Sequence, residues 1–86
     1  MKVAFTSRGW DDYVSWGNDR ATRKRIHQLI ADIQRNGHAG LGKPERLSRT
    51  RSDWWSRRID DKNRLVYRLS DDGLEMAQCR GHYDDK

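Results

Sequence analysis

The sequence predicts an α+β domain in which two N-terminal helices pack on one face of a mostly antiparallel sheet. Three observations carry that expectation. One apolar stripe at helical spacing lies in the N-terminal half, short alternating runs fill the C-terminal half, and the element order reads β-α-α-β-β-β-β. Helices gathered on one side leave the other sheet face open to a ligand.

"KVAFT" alternates Val3 and Phe5 against Lys2, Ala4 and Thr6, the period of a strand. Ser7 then offers an N-cap to a helix with Trp10, Tyr13 and Val14 at i, i+3, i+4 spacing. Asp11 and Asp12 are expected in its early turns, where the helix dipole favours negative charge. "GND" breaks the pattern, and Asp19 can cap a second helix whose stripe is Ile26, Leu29, Ile30 and Ile33. Asn36-Gly37 supplies its stop, and Arg20, Arg23, Lys24 and Arg35 leave its outer face basic.

The glycine-rich "GHAGLGKPERL" leads to a short strand near Glu45–Leu47 and lacks the GxxxxGK[ST] order of a phosphate-cradling loop. "WWSRRI" reads as a strand. In "RLVYRL", Leu65, Tyr67 and Leu69 take one face while Arg64, Val66 and Arg68 take the other. A turn at "SDDG" precedes a last strand expected from Leu74 to about Tyr83.

With 86 residues the chain is one domain, 1–86, with 83–86 expected as a flexible tail. Lys and Arg number 18 against 13 acids, and the net charge of +5 calls for an acidic partner, either nucleic acid or protein. Four tryptophans and three tyrosines on clean apolar periods argue against disorder despite the high charge. Cys79, the single cysteine, cannot form an internal disulfide or anchor a zinc site, and reads as a small strand residue in a reducing compartment. "MKVAFTSRGW" does not resemble a signal peptide, and no stretch approaches the roughly 20 apolar residues of a membrane span. A cytoplasmic protein is expected.

Counting outwards from the turn near Asp71-Gly73 sets Arg64 opposite the His82 end of the last strand. Arg58, before the turn at "DDKN", returns to the same end. Arg80 and His82 should point one way and Tyr83 the other, unless Gly81 permits a bulge. Guanidinium groups are fixed planar donors for phosphate, and an imidazole can give or take a proton near neutrality. Metal-free cleavage of RNA needs a base for the 2′-hydroxyl, an acid for the 5′-oxygen and cations for the phosphorane. Glu45, on the strand entering the sheet, is the nearest candidate base. Plainer roles exist for each residue: an exposed strand-end His82, a solvated Arg64 and Arg68, an edge Tyr83, a surface pair of Glu45 with Lys43 or Arg46.

The strings "GWDDYVSW", "GKPERL", "WWSRRI", "NRLVYRL" and "CRGHY", in this order and spacing, resemble the YoeB toxins of the RelE superfamily across nearly the whole chain. The resemblance implies a RelE-like, microbial-ribonuclease-like fold and a ribosome-dependent messenger-RNA endonuclease that needs no metal or other cofactor. It also implies a cognate YefM-type antitoxin that folds onto the toxin, and allows a homodimer. By the same likeness Glu45 is the general base, His82 the general acid and Arg64 the transition-state cation, while Tyr83 orients the nucleotide or stacks on a base. Arg58 matches a position expected to contact the scissile phosphate. A basic belt of Lys43, Arg46, Arg49, Arg51, Arg57 and Arg58, with Arg80, is expected to meet ribosomal RNA or the acidic antitoxin. The chain departs from the pattern in running on to Asp84-Asp85-Lys86. It also carries Asn63 where a histidine is expected, and Asn63 takes no role in this reading. A gyrase-poisoning toxin of the same superfamily and a plain RNA-binding module are the competing readings; neither needs the Glu45, Arg64, His82, Tyr83 set.

Overall fold

A computed structural model describes residues 1–47 and 53–82. Its elements run β1 (Lys2–Phe5), α1 (Ser7–Ser15), α2 (Arg20–Asn36), β2 (Glu45–Arg46), β3 (Trp55–Arg58), β4 (Arg64–Ser70) and β5 (Gly73–Gln78). The sheet order is β1-β5-β4-β3-β2. β1 pairs parallel with β5, and the other three pairs are antiparallel. The expected α+β architecture is therefore observed with a mixed sheet. Two adjacent strands can run parallel only across a long connection, and here two helices and the β2–β4 meander intervene.

The core is the α2 stripe set against one face of the sheet. Ile26, Leu29 and Ile33 are fully buried with Leu65, Tyr67, Leu74 and Met76, and Ile30 packs at the margin. Each side chain of that kind contributes about 1.5–3 kcal/mol when withdrawn from water. Asp19 caps α2 through the Thr22 N–H, and Gly37 ends it at φ 65°, a conformation that costs glycine nothing.

The first helix departs from expectation in three ways. Thr6, not Ser7, is its N-cap, its hydroxyl accepting the Gly9 N–H at 3.0 Å. Asp12 lies past the first turn and accepts the Cys79 N–H at 3.1 Å, so it ties helix to sheet. Only Tyr13 of the Trp10, Tyr13, Val14 trio packs on the core; Trp10 and Val14 stay exposed. The reason is the closeness of α1 to β5. A Cβ on Gly9 would stand 2.3 Å from the Met76 carbonyl oxygen, so the buried contact of α1 is its backbone.

The last strand is shorter than its alternation implies. Val66 pairs with Gln78 and Tyr67 with Met76, leaving Ala77 as a bulge, and the ladder ends one residue later at Gln78. Beyond Gln78 the chain folds back under α1: the Trp16 indole donates to the Cys79 carbonyl at 2.9 Å. Cys79 is fully buried, and burial, followed by the nearby Asp12 carboxylate, pushes its thiol up to about 12. Among the described residues no helix is long and apolar enough to cross a membrane.

Candidate functional site

Glu45, Ser56, Val66 and Gln78 are successive register partners across β2, β3, β4 and β5, so they share the face away from the helices. Arg58 and Arg64, themselves partners, lie two residues along on the same face. Arg64 reaches along this row. Its Nη1 donates to the buried Ser56 hydroxyl at 3.5 Å and stands 3.8 Å from Glu45 Oε2. The carboxylate is 69% exposed and the guanidinium 19%. A pair so long and so wet adds little to stability, and an anion entering between the two groups displaces little.

The Arg64 N–H donates to the Gly81 carbonyl at 2.9 Å, which carries the segment holding His82 to the Arg64 end of β4. His82 is exposed and follows Gly81, whose φ of 90° is comfortable only for glycine. Thus Glu45, Arg58, Arg64 and the backbone before His82 meet at one end of the open face. Tyr83, Arg49 and Arg51 lie outside the described residues, as does the tail at 83–86.

Two arginines of the expected basic belt belong elsewhere. Arg57 is 0% exposed and faces the helices. Its guanidinium pairs with Asp32 and donates to the carbonyls of Gly37, Ala39 and Leu41 and to the Tyr67 hydroxyl. It cannot touch RNA there. Strand alternation explains the correction: with Arg58 on the open face, Arg57 must point inward. Arg80 likewise lies off the expected strand face, because β5 has ended. Its Nη1 donates to the Ser15 hydroxyl at 2.9 Å, and its guanidinium lies 4.2 Å from the centre of the Trp16 ring.

Of the remaining cations, Lys43 is exposed at the rim beside Glu45. Arg46 points opposite to Glu45, its guanidinium 6.0 Å from the Trp55 ring. Arg68 shares the open face but is paired with Glu75 and stacked 4.8 Å from Trp54. Arg64 is therefore the arginine of β4 placed beside a carboxylate at the His82 end.

The loop between α2 and β2 is held from within. Arg57 collects its carbonyls, Asp32 accepts the Leu41 N–H at 3.0 Å, and Arg58 donates its N–H to Gly42 at 2.7 Å. The Arg57 guanidinium and the Leu41 N–H, outweighing burial, hold the Asp32 carboxyl below the usual carboxylate range. His38 stacks on Trp55 at 4.0 Å, and burial, then Arg57 and Arg46, lower its pKa. The glycines thus build a bracket for Lys43 and Glu45.

Sequence reasoning missed Ser56 and Asn63. A serine between two strand arginines carries no distinctive signal, but Asp60 and Asn63 at a turn, directly before Arg64, could have drawn notice. Among the described residues no three His, Cys, Asp or Glu side chains are grouped to share a metal ion.

A family model for the YoeB-like toxin of bacterial type II toxin–antitoxin systems matches residues 5–83. The toxin YoeB of Streptomyces coelicolor is 55% identical over 84 residues, covering 96% of this chain and 100% of the relative. A YoeB/ParE toxin from Agrobacterium tumefaciens superposes with a TM-score of 0.91 at 45% identity, over 96% of this chain and 100% of that one. The YoeB of a Staphylococcus aureus YoeB–YefM complex gives 0.88 at 35% identity, over 96% and 98%, and a YoeB dimer from that organism is also known. Fold and likeness place the chain among the small α+β toxins of bacterial toxin–antitoxin systems. Within that class it belongs to the YoeB family.

Proposed function

We propose that this protein is a cytoplasmic endoribonuclease toxin that cuts messenger RNA in the ribosomal A site and is neutralised by a YefM-like antitoxin. The observation that carries the reading is the contact of Glu45 with Arg64 on the helix-free face, with the backbone before His82 hydrogen-bonded to Arg64. The three chemical roles of a metal-independent cleavage fit those positions.

Glu45 takes the proton of the 2′-hydroxyl, and the 2′-oxygen attacks the adjacent phosphorus. The bond from phosphorus to the 5′-oxygen breaks as His82 delivers a proton to that oxygen. The products are a 2′,3′-cyclic phosphate and a 5′-hydroxyl. Arg64, already 3.8 Å from the carboxylate, offsets the extra charge on the phosphorane, and Arg58 on the neighbouring strand holds the phosphate. By family likeness Tyr83 orients or stacks on the nucleotide. Lys43, Arg46 and Arg49 supply cations for ribosomal RNA, so docking should weaken steeply with salt. The S. aureus complex and dimer support a YefM-like antitoxin partner and a homodimer for this chain as well.

The test is a defined translating ribosome complex, with message ends mapped by primer extension. Cuts in the A-site codon that vanish with Glu45→Gln and His82→Ala, while ribosome binding survives, support the nuclease. Uncut message with a supercoiling defect would instead indicate a gyrase poison. Uncut message with retained ribosome binding would indicate an RNA-binding module.

A further inference from the structure

Asn63 closes the turn between β3 and β4. Its Nδ2 donates to both carboxylate oxygens of Asp60, at 3.0 and 3.1 Å. Its Oδ1 accepts the N–H of Gly81 at 2.8 Å. The partners leave no ambiguity in the amide: an ionised carboxylate only accepts, and a backbone N–H only donates. Asp60 is itself steadied by the N–H groups of Lys62 and Asn63, at 2.8 and 2.7 Å. The next residue, Arg64, donates its N–H to the Gly81 carbonyl at 2.9 Å. Two consecutive residues at the start of β4 thus take both backbone groups of Gly81.

The Gly81 carbonyl lies in the same rigid peptide plane as the nitrogen and Cα of His82. Holding both Gly81 groups therefore sets where His82 leaves the backbone. The strand ladder cannot do this, because β5 has ended at Gln78. A glycine at φ 90° has wide conformational freedom and does not hold itself there. The Gln78 amide nitrogen, buried beneath this turn and unpartnered among the described residues, adds no tie of its own there.

We propose that Asn63 is a positioning residue for His82. The Asp60–Asn63–Gly81 clip holds the imidazole-bearing residue at the Arg64 end of β4. The inference rests on the nuclease reading above for its consequence, but the clip itself is testable without it. A displacement of about 1 Å in a proton donor costs a reaction roughly 100-fold.

Two readouts on the full-length protein separate the outcomes: single-turnover cleavage on programmed ribosomes, and exchange of the Gly81 amide followed by NMR. Asn63→Ala is expected to lower the maximal rate about 100-fold, with half-saturation nearly unchanged. Gly81 exchange should rise about tenfold. Asn63→Asp alone sets two carboxylates face to face and should behave as badly. The double swap Asp60→Asn with Asn63→Asp restores one donor and one acceptor in reversed order, and it should recover both rate and protection. A merely structural side chain would not show that rescue. An unchanged rate in Asn63→Ala overturns the proposal, as does a slow double swap whose Gly81 amide is again protected. If the unaltered protein leaves message intact, the nuclease reading fails first. The clip is then judged by exchange alone, and unchanged Gly81 protection in Asn63→Ala overturns it.

Discussion

Arg57 of β3 and Asp32 of α2 form an ion pair inside the molecule, the guanidinium wholly buried and the carboxylate 12% exposed. The pair explains why a glycine-rich loop with no phosphate-binding order is nonetheless well formed. Arg57 directs its donors to Asp32 and to three loop carbonyls, and the loop in turn delivers Glu45 to the sheet edge.

Replacing Arg57 should therefore unfold rather than merely disarm the protein. Arg57→Met takes the guanidinium from the loop carbonyls and leaves the Asp32 charge without its cation, held only by the Leu41 N–H and the Asn36 amide, and removing one partner of a buried pair costs about 3 kcal/mol or more. Urea denaturation is expected to show that loss. Arg58→Ala, one residue away on the open face, should leave the midpoint nearly unchanged.

The same pair sets an acid limit. Asp32 has its folded pKa depressed, chiefly by the Arg57 hydrogen bond and the Leu41 N–H. A depressed carboxylate contributes stability that is fully present above its unfolded value of about 3.9 and is lost as pH falls through the folded value. Thermal melts across that acid range should show stability falling below about pH 4. In Asp32→Asn, weaker at neutral pH, the acid-side slope should be shallower.

Gly9 offers a test of how α1 seats on the sheet. In an exposed helix, Gly→Ala is favourable by up to about 1 kcal/mol. Here the added methyl meets the Met76 carbonyl at 2.3 Å, and backbone cannot swing aside. Gly9→Ala should lower stability by about 1–2 kcal/mol, within the usual range for overpacking. A melting temperature equal to or above that of the unaltered protein would contradict this seating.

Glu45 and Arg64 should separate activity from stability. Glu45→Gln is nearly isosteric at an exposed position, so its melting temperature should stay within about a degree, since surface changes are usually small. On the proposed nuclease function, in which Glu45 is the general base, message cleavage should fall about 100-fold or more. Arg64→Lys keeps the charge but loses the planar fork and should cut markedly more slowly, without a matching loss of ribosome binding.

Much of this molecule is legible from local pattern. The Ile26, Leu29, Ile33 stripe and the Leu65, Tyr67 alternation define the core, because side-chain periods of helix and strand depend only on backbone geometry. The same alternation sets Arg64 on the face away from that core. The departures lie at the inward-facing Arg57 within β3, at the end of β5 and along α1. β5 ends at Gln78, one residue past the Ala77 bulge, and Arg80 turns onto α1. The close approach at Gly9 makes Thr6 the cap and leaves Trp10 exposed. Neither depends on sequence-local preference alone.

The amino-acid order by itself determined the fold class, the sheet face that stays open and the family. What it left undecided was which of two adjacent arginines goes inward, where β5 stops, and that Asn63 grips Gly81. Those choices belong to tertiary structure for one physical reason. Each turns on a hydrogen bond between groups distant in the chain, and such a bond exists only once packing has brought donor and acceptor together.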